Sequence, residues 1–199
     1  WICHPRAHSR WPGLRWVNRN IAEISSCAYI FLAEDTALGY FFQINDYWTQ
    51  GMSGSEGSAC NKLLNKTKVK DLKDLWLDTG PATKLAGTAY EEVLFEAQLM
   101  QVLHDYNASH AASLGSDGSD GDERLFIYYA PHLVHSPYQI PDAWLHRFDF
   151  IKESAAGDTS GGLRQVYTAM VSYMDTVIGN VTSTMRDMGL WENTLFLCS

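Results

Sequence analysis

An unbroken apolar run that stops at a proline is the feature that most restricts how this chain can fold. Residues 125–129, Leu-Phe-Ile-Tyr-Tyr, are apolar at consecutive positions, and Pro131 follows one alanine later. A strand with one solvent-exposed face alternates apolar and polar residues. A strand covered on both faces, as in a parallel sheet, is apolar throughout. The run therefore predicts a buried strand over Leu125–Tyr129.

Helical patterns flank this strand. Residues 88–104 and 164–188 carry apolar side chains three and four apart, and Gly189 stands where a C-terminal cap belongs. The predicted apolar face of the first helix consists of Tyr90, Val93, Leu94, Ala97, Met100 and Leu103. That of the second consists of Val166, Met170, Tyr173, Val177, Val181, Met185 and Met188. Residues 195–198 then predict another buried strand. This alternation predicts an α/β fold with parallel crossover connections.

A stiff loop with two histidines follows the predicted strand at 125–129. It carries His132 and His135 between Pro131 and Pro137, and proline restricts the backbone. In open α/β sheets, ligands bind beyond the carboxyl ends of the strands, which is where this loop leaves the sheet. Each histidine can still be an ordinary surface residue, so position alone leaves the binding and the structural interpretations open.

Charge and length favour some functions over others. The 199 residues suit a single domain, and 15 basic against 23 acidic residues give a net charge of −8. This balance disfavours nucleic acid as a partner, although a local pocket could still bind a sulfated or phosphorylated molecule. The sequence has no apolar run long enough to predict a membrane span. Its four cysteines are widely spaced and form no zinc-type pair.

Three glycosylation sequons occur, at Asn65, Asn107 and Asn180. Each one alone can arise by chance, but together they favour a glycoprotein. We therefore predict a secretory route, with a lysosomal or extracellular destination.

Two long segments resemble the sulfatase family, in its arylsulfatase B or N-acetylgalactosamine-4-sulfatase-like branch. They are LFIYYAPHLVHSPYQIPDAWLHRF and YTAMVSYMDTVIGNVTSTMRDMGLWENTLFLCS. The family likewise has a strand that ends in a histidine loop, then a helix with a central aspartate, here Asp175, and a GLWxNT turn. Upstream, GYFFQINDYWT and DLWLDTGPA resemble its earlier segments, so the resemblance covers residues 37–199.

The resemblance implies an alkaline-phosphatase-like α/β fold with a largely parallel central sheet flanked by helices. It also implies a sulfuric ester hydrolase that acts on sulfated sugars or aryl sulfates. Family members use a formylglycine nucleophile, made within a C-x-P-S-R motif, and a calcium ion. By motif position, His135 matches the histidine that contacts the sulfate, which makes it both a catalytic and a substrate-binding candidate. His132 does not match that role and is expected either to be structural or to support the residues that contact the substrate.

The rest of the family's catalytic set is not found in this sequence. The stretch CHPRA, residues 3–7, fails the nucleophile motif, because Arg6 and Ala7 stand where a small residue and an arginine are required. No early aspartate pair and no Lys-Trp-His segment occur either. His135 is therefore the one catalytic position carried over, and no metal ligand is assigned. Neither the calcium nor the formylglycine site is complete, so we expect a partial catalytic domain that is inactive alone.

The chain divides into two regions in this interpretation. Residues 37–199 form the partial sulfatase domain, and residues 1–36 form a non-matching segment, either mistranslated or disordered. Two alternatives to an enzyme fragment stay open. One is a non-catalytic, sulfatase-like binding module. The other is a phosphonate or phosphodiester hydrolase of the same superfamily.

Overall fold

A five-stranded sheet packs against a long helix, and a second long helix packs on the first. The computed structural model describes residues 29–32, 36–40, 45–51, 73–113, 124–151 and 161–198. The strands are β1 (Tyr29–Leu32), β2 (Thr36–Tyr40), β3 (Leu75–Leu77), β4 (Gly80–Pro81) and β5 (Ile127–Tyr128). The helices are α1 (Glu91–Ser113), α2 (Asp142–Leu145) and α3 (Gly161–Asp187), with 3₁₀ helices at His146–Ile151 and Trp191–Asn193.

The strand order is β4-β3-β2-β1-β5, and all pairings among these described strands are antiparallel. A mixed α/β composition agrees with the prediction, but a largely parallel sheet is not confirmed. Two of the antiparallel pairings follow from the short connections between the strands. Residues 33–35 join β1 to β2 and residues 78–79 join β3 to β4. Such short links can connect only antiparallel neighbours, since a parallel pair needs a crossover of a dozen residues or more.

The apolar run at 125–129 is not buried on both faces, so that prediction is wrong. Leu125, Ile127 and Tyr129 pack against the core, whereas Phe126 is 58% and Tyr128 is 50% exposed. Burial thus alternates along the run as in a strand with one covered face. The buried strand predicted at residues 195–198 is likewise not found: these residues form no strand, and Leu195 and Leu197 are more than 80% exposed.

Helix α3 agrees with its sequence pattern. Its buried side includes Met170, Tyr173, Val177, Val181 and Met185. The helix ends where predicted, because Gly189 adopts a φ of +72°, which strains other residues. The Leu190 N–H then donates to the Met185 carbonyl at 2.9 Å, closing the last turn.

Helix α1 begins and ends later than predicted, and its buried face agrees with the prediction only in part: Tyr90 and Leu103 are buried as predicted. Phe95, Leu99 and Leu103 lie in the core, but the predicted core residue Val93 is exposed. Two carboxylates, Glu91 and Glu92, are fully buried instead. The acidic first turn of the helix therefore faces the protein interior.

The core has two apolar clusters, one on each side of α1. The first lies between α1 and α3 and includes Leu99, Met170 and Val177. The second lies between α1 and the sheet and includes Leu38 and Phe95. No helix in the described ranges is long and apolar enough to cross a membrane.

Of the predicted N-terminal segment 1–36, Tyr29–Leu32 form β1 and Thr36 begins β2. The remaining residues of that segment lie outside the described part of the chain. The division at residue 36 therefore stays a prediction.

Candidate active site

His135 lies at the surface, in the loop between β5 and α2. Its Nδ1 is 2.8 Å from the Ser136 carbonyl oxygen. A carbonyl oxygen only accepts, so Nδ1 carries a hydrogen and donates it. In the neutral ring, Nε2 is then the basic nitrogen, and in the protonated ring it becomes a second donor. The loop thus fixes which nitrogen of His135 can exchange a proton with a bound molecule.

The main chain of His135 is held on both sides of the residue. Its N–H donates to the His132 carbonyl at 2.7 Å, which closes a tight turn. Its carbonyl oxygen accepts a hydrogen bond of 2.9 Å from the Tyr47 hydroxyl, and Tyr47 is buried. A contact between residues 88 positions apart in sequence therefore fixes the loop at this histidine.

His132 points the other way, into the protein, and its side chain is only 11% exposed. Its Nδ1 lies 3.1 Å from Glu91 Oε1. The Tyr40 ring is nearly parallel to the imidazole at 5.2 Å between centroids, and the Tyr47 ring is nearly parallel to it at 5.9 Å. His132 therefore lies behind the loop, in contact with buried side chains.

Glu91 and Glu92 are the two buried acidic residues beneath the loop. The Tyr40 hydroxyl donates to Glu91 Oε2 at 3.0 Å, and the Tyr129 hydroxyl donates to Glu92 Oε2 at 2.6 Å. Both carboxylates lie in the first turn of α1, where the helix dipole favours negative charge. Each buried acid therefore has a tyrosine donor, and Glu91 has His132 as well.

Burial disfavours the ionised form of both acids. It raises the pKa of Glu91, although the bonds from His132 and Tyr40 oppose that rise. Burial also raises the pKa of Glu92, to about 7, and the neighbouring Glu91 charge adds to the effect while the Tyr129 hydroxyl opposes it. Burial, aided by these carboxylates, raises the pKa of Tyr40 and of Tyr129 as well, so both phenols remain hydrogen-bond donors.

We expect the buried acid Glu92 to make the protein less stable as the pH rises. The unfolded carboxyl loses its proton near pH 4.5, whereas the folded one keeps it up to about pH 7. The folded state therefore binds more protons between these values, and its stability falls across that window by roughly 3 kcal/mol. Urea unfolding at about pH 5 and about pH 8 measures the loss.

The matched variants are Glu92→Gln and Glu192→Gln, since Glu192 is exposed. Glu92→Gln should flatten the pH dependence, because glutamine cannot ionise and still accepts from Tyr129. Glu192→Gln should leave it as in the wild type. An unchanged slope in Glu92→Gln would contradict the assignment to this carboxyl.

Gln139 ties the far end of the loop to residues 45–51. Its Oε1 accepts from the Tyr47 N–H at 2.7 Å, and its Nε2 donates to Asp46 Oδ2 at 2.7 Å. Its carbonyl accepts from the Tyr90 hydroxyl at 3.0 Å. Burial works against ionisation of Asp46, but the donors Gln139, Thr49 and Trp48 outweigh it and lower the pKa of that carboxyl.

Within the described ranges, no three His, Cys, Asp or Glu side chains come together as a metal site. The calcium ion that the sequence resemblance implied for the full-length protein therefore stays a prediction. Asp175 is exposed on α3. Cys3 and the rest of the CHPRA stretch lie outside the described residues.

The glycosylation candidates differ in their setting. Asn180 is exposed on α3, and its Nδ2 donates to Glu96 Oε1 at 2.7 Å. Asn107 is half-buried on α1. Asn65 lies outside the described residues.

Sequence reasoning missed Glu91, Glu92, Tyr40 and Tyr47. Acidic residues in the first turn of a helix are ordinary surface features that complement the dipole, so the Glu-Glu pair gave no signal. The one sequence signal for the burial of these glutamates is their position among the apolar residues Tyr90, Leu94 and Phe95.

Comparison with known proteins gives a family match over most of this site. A family model described as Sulfatase matches residues 55–199, which include Glu91, His132 and His135. Arylsulfatase J of Mus musculus is 26% identical over 165 residues, covering 83% of this chain and 22% of that protein. The chain thus spans less than a quarter of the length of this relative. No solved structure matches the chain. The resemblance drawn from the motifs is confirmed at the level of the family.

Proposed function

The chain belongs to the sulfatase family, and we propose that it is part of a sulfuric ester hydrolase that acts on aryl sulfates or sulfated sugars. The observation that carries the proposal is the family match across residues 55–199, which contain the whole histidine loop. Arylsulfatase J, by its name, belongs to the same class of hydrolase. Because the chain spans 22% of that relative, the activity is proposed for the full-length protein.

We propose that His135 contacts the sulfate group. Its Nδ1 hydrogen bonds to the Ser136 carbonyl, which leaves Nε2 to meet a ligand from solvent. A protonated Nε2 can donate to an anionic sulfate oxygen, or give its proton to the oxygen of the departing alcohol. Because the main chain of His135 is already fixed, little conformational entropy is lost when the imidazole engages the ester.

The formylglycine nucleophile and the calcium ion belong to this proposal as parts of the full-length protein. No group of three or more His, Cys, Asp or Glu side chains that could hold a metal ion occurs among the described residues, and CHPRA does not fit the nucleophile motif. When bound, a calcium ion would offset the negative charge of the sulfate. What this chain contributes is the histidine that donates to the sulfate and the loop that orients it.

The proposed location is the secretory route, ending in the lysosome or outside the cell. We expect Asn180 to carry an N-linked glycan when the full-length protein is made in a eukaryotic secretory host, because its side chain is exposed and Thr182 completes the sequon. Asn65 and Asn107 are the other two candidates. Mass spectrometry of the peptide containing Asn180, before and after enzymatic deglycosylation, checks this.

The matched variant for the glycan is Asn180→Gln, which removes the sequon but keeps an amide that can still donate to Glu96. The glycan at this position should then be absent while folding is retained. An unmodified Asn180 peptide in the secreted wild-type protein would contradict the expectation.

Hydrolysis assays on the full-length protein test the function. We expect release of sulfate from an aryl sulfate, and no comparable turnover of a matched phosphonate or phosphodiester. Preference for a phosphorus ester would favour the related hydrolases instead. Binding of sulfated sugars without turnover would favour a binding module.

A further inference from the structure

Three side chains link the buried start of α1 to the exposed His135. We propose that Glu91, His132 and Tyr47 form a clamp that positions His135 for its reaction. Glu91 accepts from His132, the Tyr47 ring lies nearly parallel to the imidazole of His132, and the Tyr47 hydroxyl holds the His135 carbonyl. This inference rests on the proposed function, because it assigns the clamp a role in that same site.

Burial of Glu91 is the first argument for a role beyond stability. Glu91 has no exposed surface. Burying a carboxyl group costs free energy in either protonation state, and a hydrogen-bonded partner commonly no more than compensates. An apolar residue at this position would pack with less penalty. A network that gains little stability, and that leads directly to the candidate active-site loop, is better explained by the geometry that it enforces.

The second argument is that the contacts converge on one short stretch of backbone. The clamp fixes the loop at residues 132 and 135, and their main chains are joined by the 2.7 Å bond from the His135 N–H to the His132 carbonyl. Gln139 anchors the following residues to the Tyr47 N–H. A shift in Tyr47 would therefore be transmitted to the His135 backbone. Misplacement of a catalytic group by about 1 Å can lower turnover by up to roughly 10²-fold.

Tyr47→Phe is the sharpest test, since it removes one hydroxyl and keeps the aromatic ring. Tyr173→Phe makes the same change at a buried tyrosine on α3 and is the control. In the full-length protein, amide hydrogen exchange of the peptide covering residues 132–140 reports on the loop without requiring activity. We expect Tyr47→Phe to accelerate that exchange by about 3- to 10-fold, the size of one lost hydrogen bond. Tyr173→Phe should leave it unchanged.

The kinetic test measures the effects of the variant on kcat and on KM separately, with an aryl sulfate as substrate. Loss of positioning should lower kcat about 3- to 10-fold and change KM little. At His132, glutamine can still donate to Glu91 whereas leucine cannot, so His132→Gln should recover activity relative to His132→Leu. If His132→Leu fails to fold, Tyr47→Phe still decides the question.

Unchanged exchange in a folded Tyr47→Phe protein would overturn the clamp. Faster exchange with unchanged kcat in an active enzyme would also overturn it, because the loop would then not need positioning. If the wild-type protein hydrolyses no sulfate ester, the proposed function fails. The exchange comparison would then still decide whether the clamp holds the His135 backbone.

Discussion

Replacing His135 by alanine in the full-length protein is expected to lower the turnover of a sulfate ester by roughly 10²–10⁴-fold, the usual effect of removing a positioned acid–base group. The imidazole is exposed, and it is the backbone carbonyl that Tyr47 holds. Alanine keeps that carbonyl, so the loop and the fold should survive. The loss should therefore appear in kcat while the unfolding transition stays where it was.

The control is His104→Ala, which removes an exposed histidine from α1. Its turnover should equal that of the wild type. Full activity in His135→Ala would show that the role assigned to this residue is wrong. The same holds if the variant loses activity only because it no longer folds, as judged by circular dichroism and thermal melting.

The isolated 199-residue chain is expected to show no measurable turnover of an aryl sulfate under conditions in which the full-length protein is active. The sequence has no C-x-P-S-R motif, so it lacks the residue from which the family's nucleophile is made. The residues 29–32, 36–40, 45–51, 73–113, 124–151 and 161–198 hold no metal ligand cluster. Without a nucleophile and a cation, His135 has no attacking group to act with.

Contamination is the main hazard in that assay, because a trace of host sulfatase would imitate activity. The matched sample is the same chain with His135→Ala. A rate that is equal in both samples comes from elsewhere. Turnover by the wild-type chain that disappears in His135→Ala would overturn the expectation and show that these residues suffice.

The sequence predicted much of the local structure correctly. Helix α3 followed from apolar residues three and four apart and from Gly189, since helical period and a left-handed glycine are properties of a short stretch of chain. The family also followed from motifs in their order, and the match over residues 55–199 confirmed it. The loop with His132 and His135 was identified because proline, histidine and the preceding apolar run are all visible in the sequence.

The sequence could not show which residues far apart along the chain come into contact in the fold. The apolar run at 125–129 was predicted to be buried on both faces, but composition does not reveal how many neighbours a strand will have. Its register against β1 and its single covered face are decided by packing. The same limit applies to the parallel sheet, because strand direction depends on the connections and pairings that form.

The candidate site shows this division most clearly. Sequence alone predicted that His135 lies in a proline-bounded loop after a strand, and the family resemblance suggested a role that stays a proposal. Only the tertiary structure decided that Glu91 is buried beneath that loop, since its contacts come from Tyr40 and His132, which are 51 and 41 positions away. An acidic side chain in the first turn of a helix can equally well be exposed to solvent. Burial depends on which surfaces pack over it, and that is a property of the whole fold.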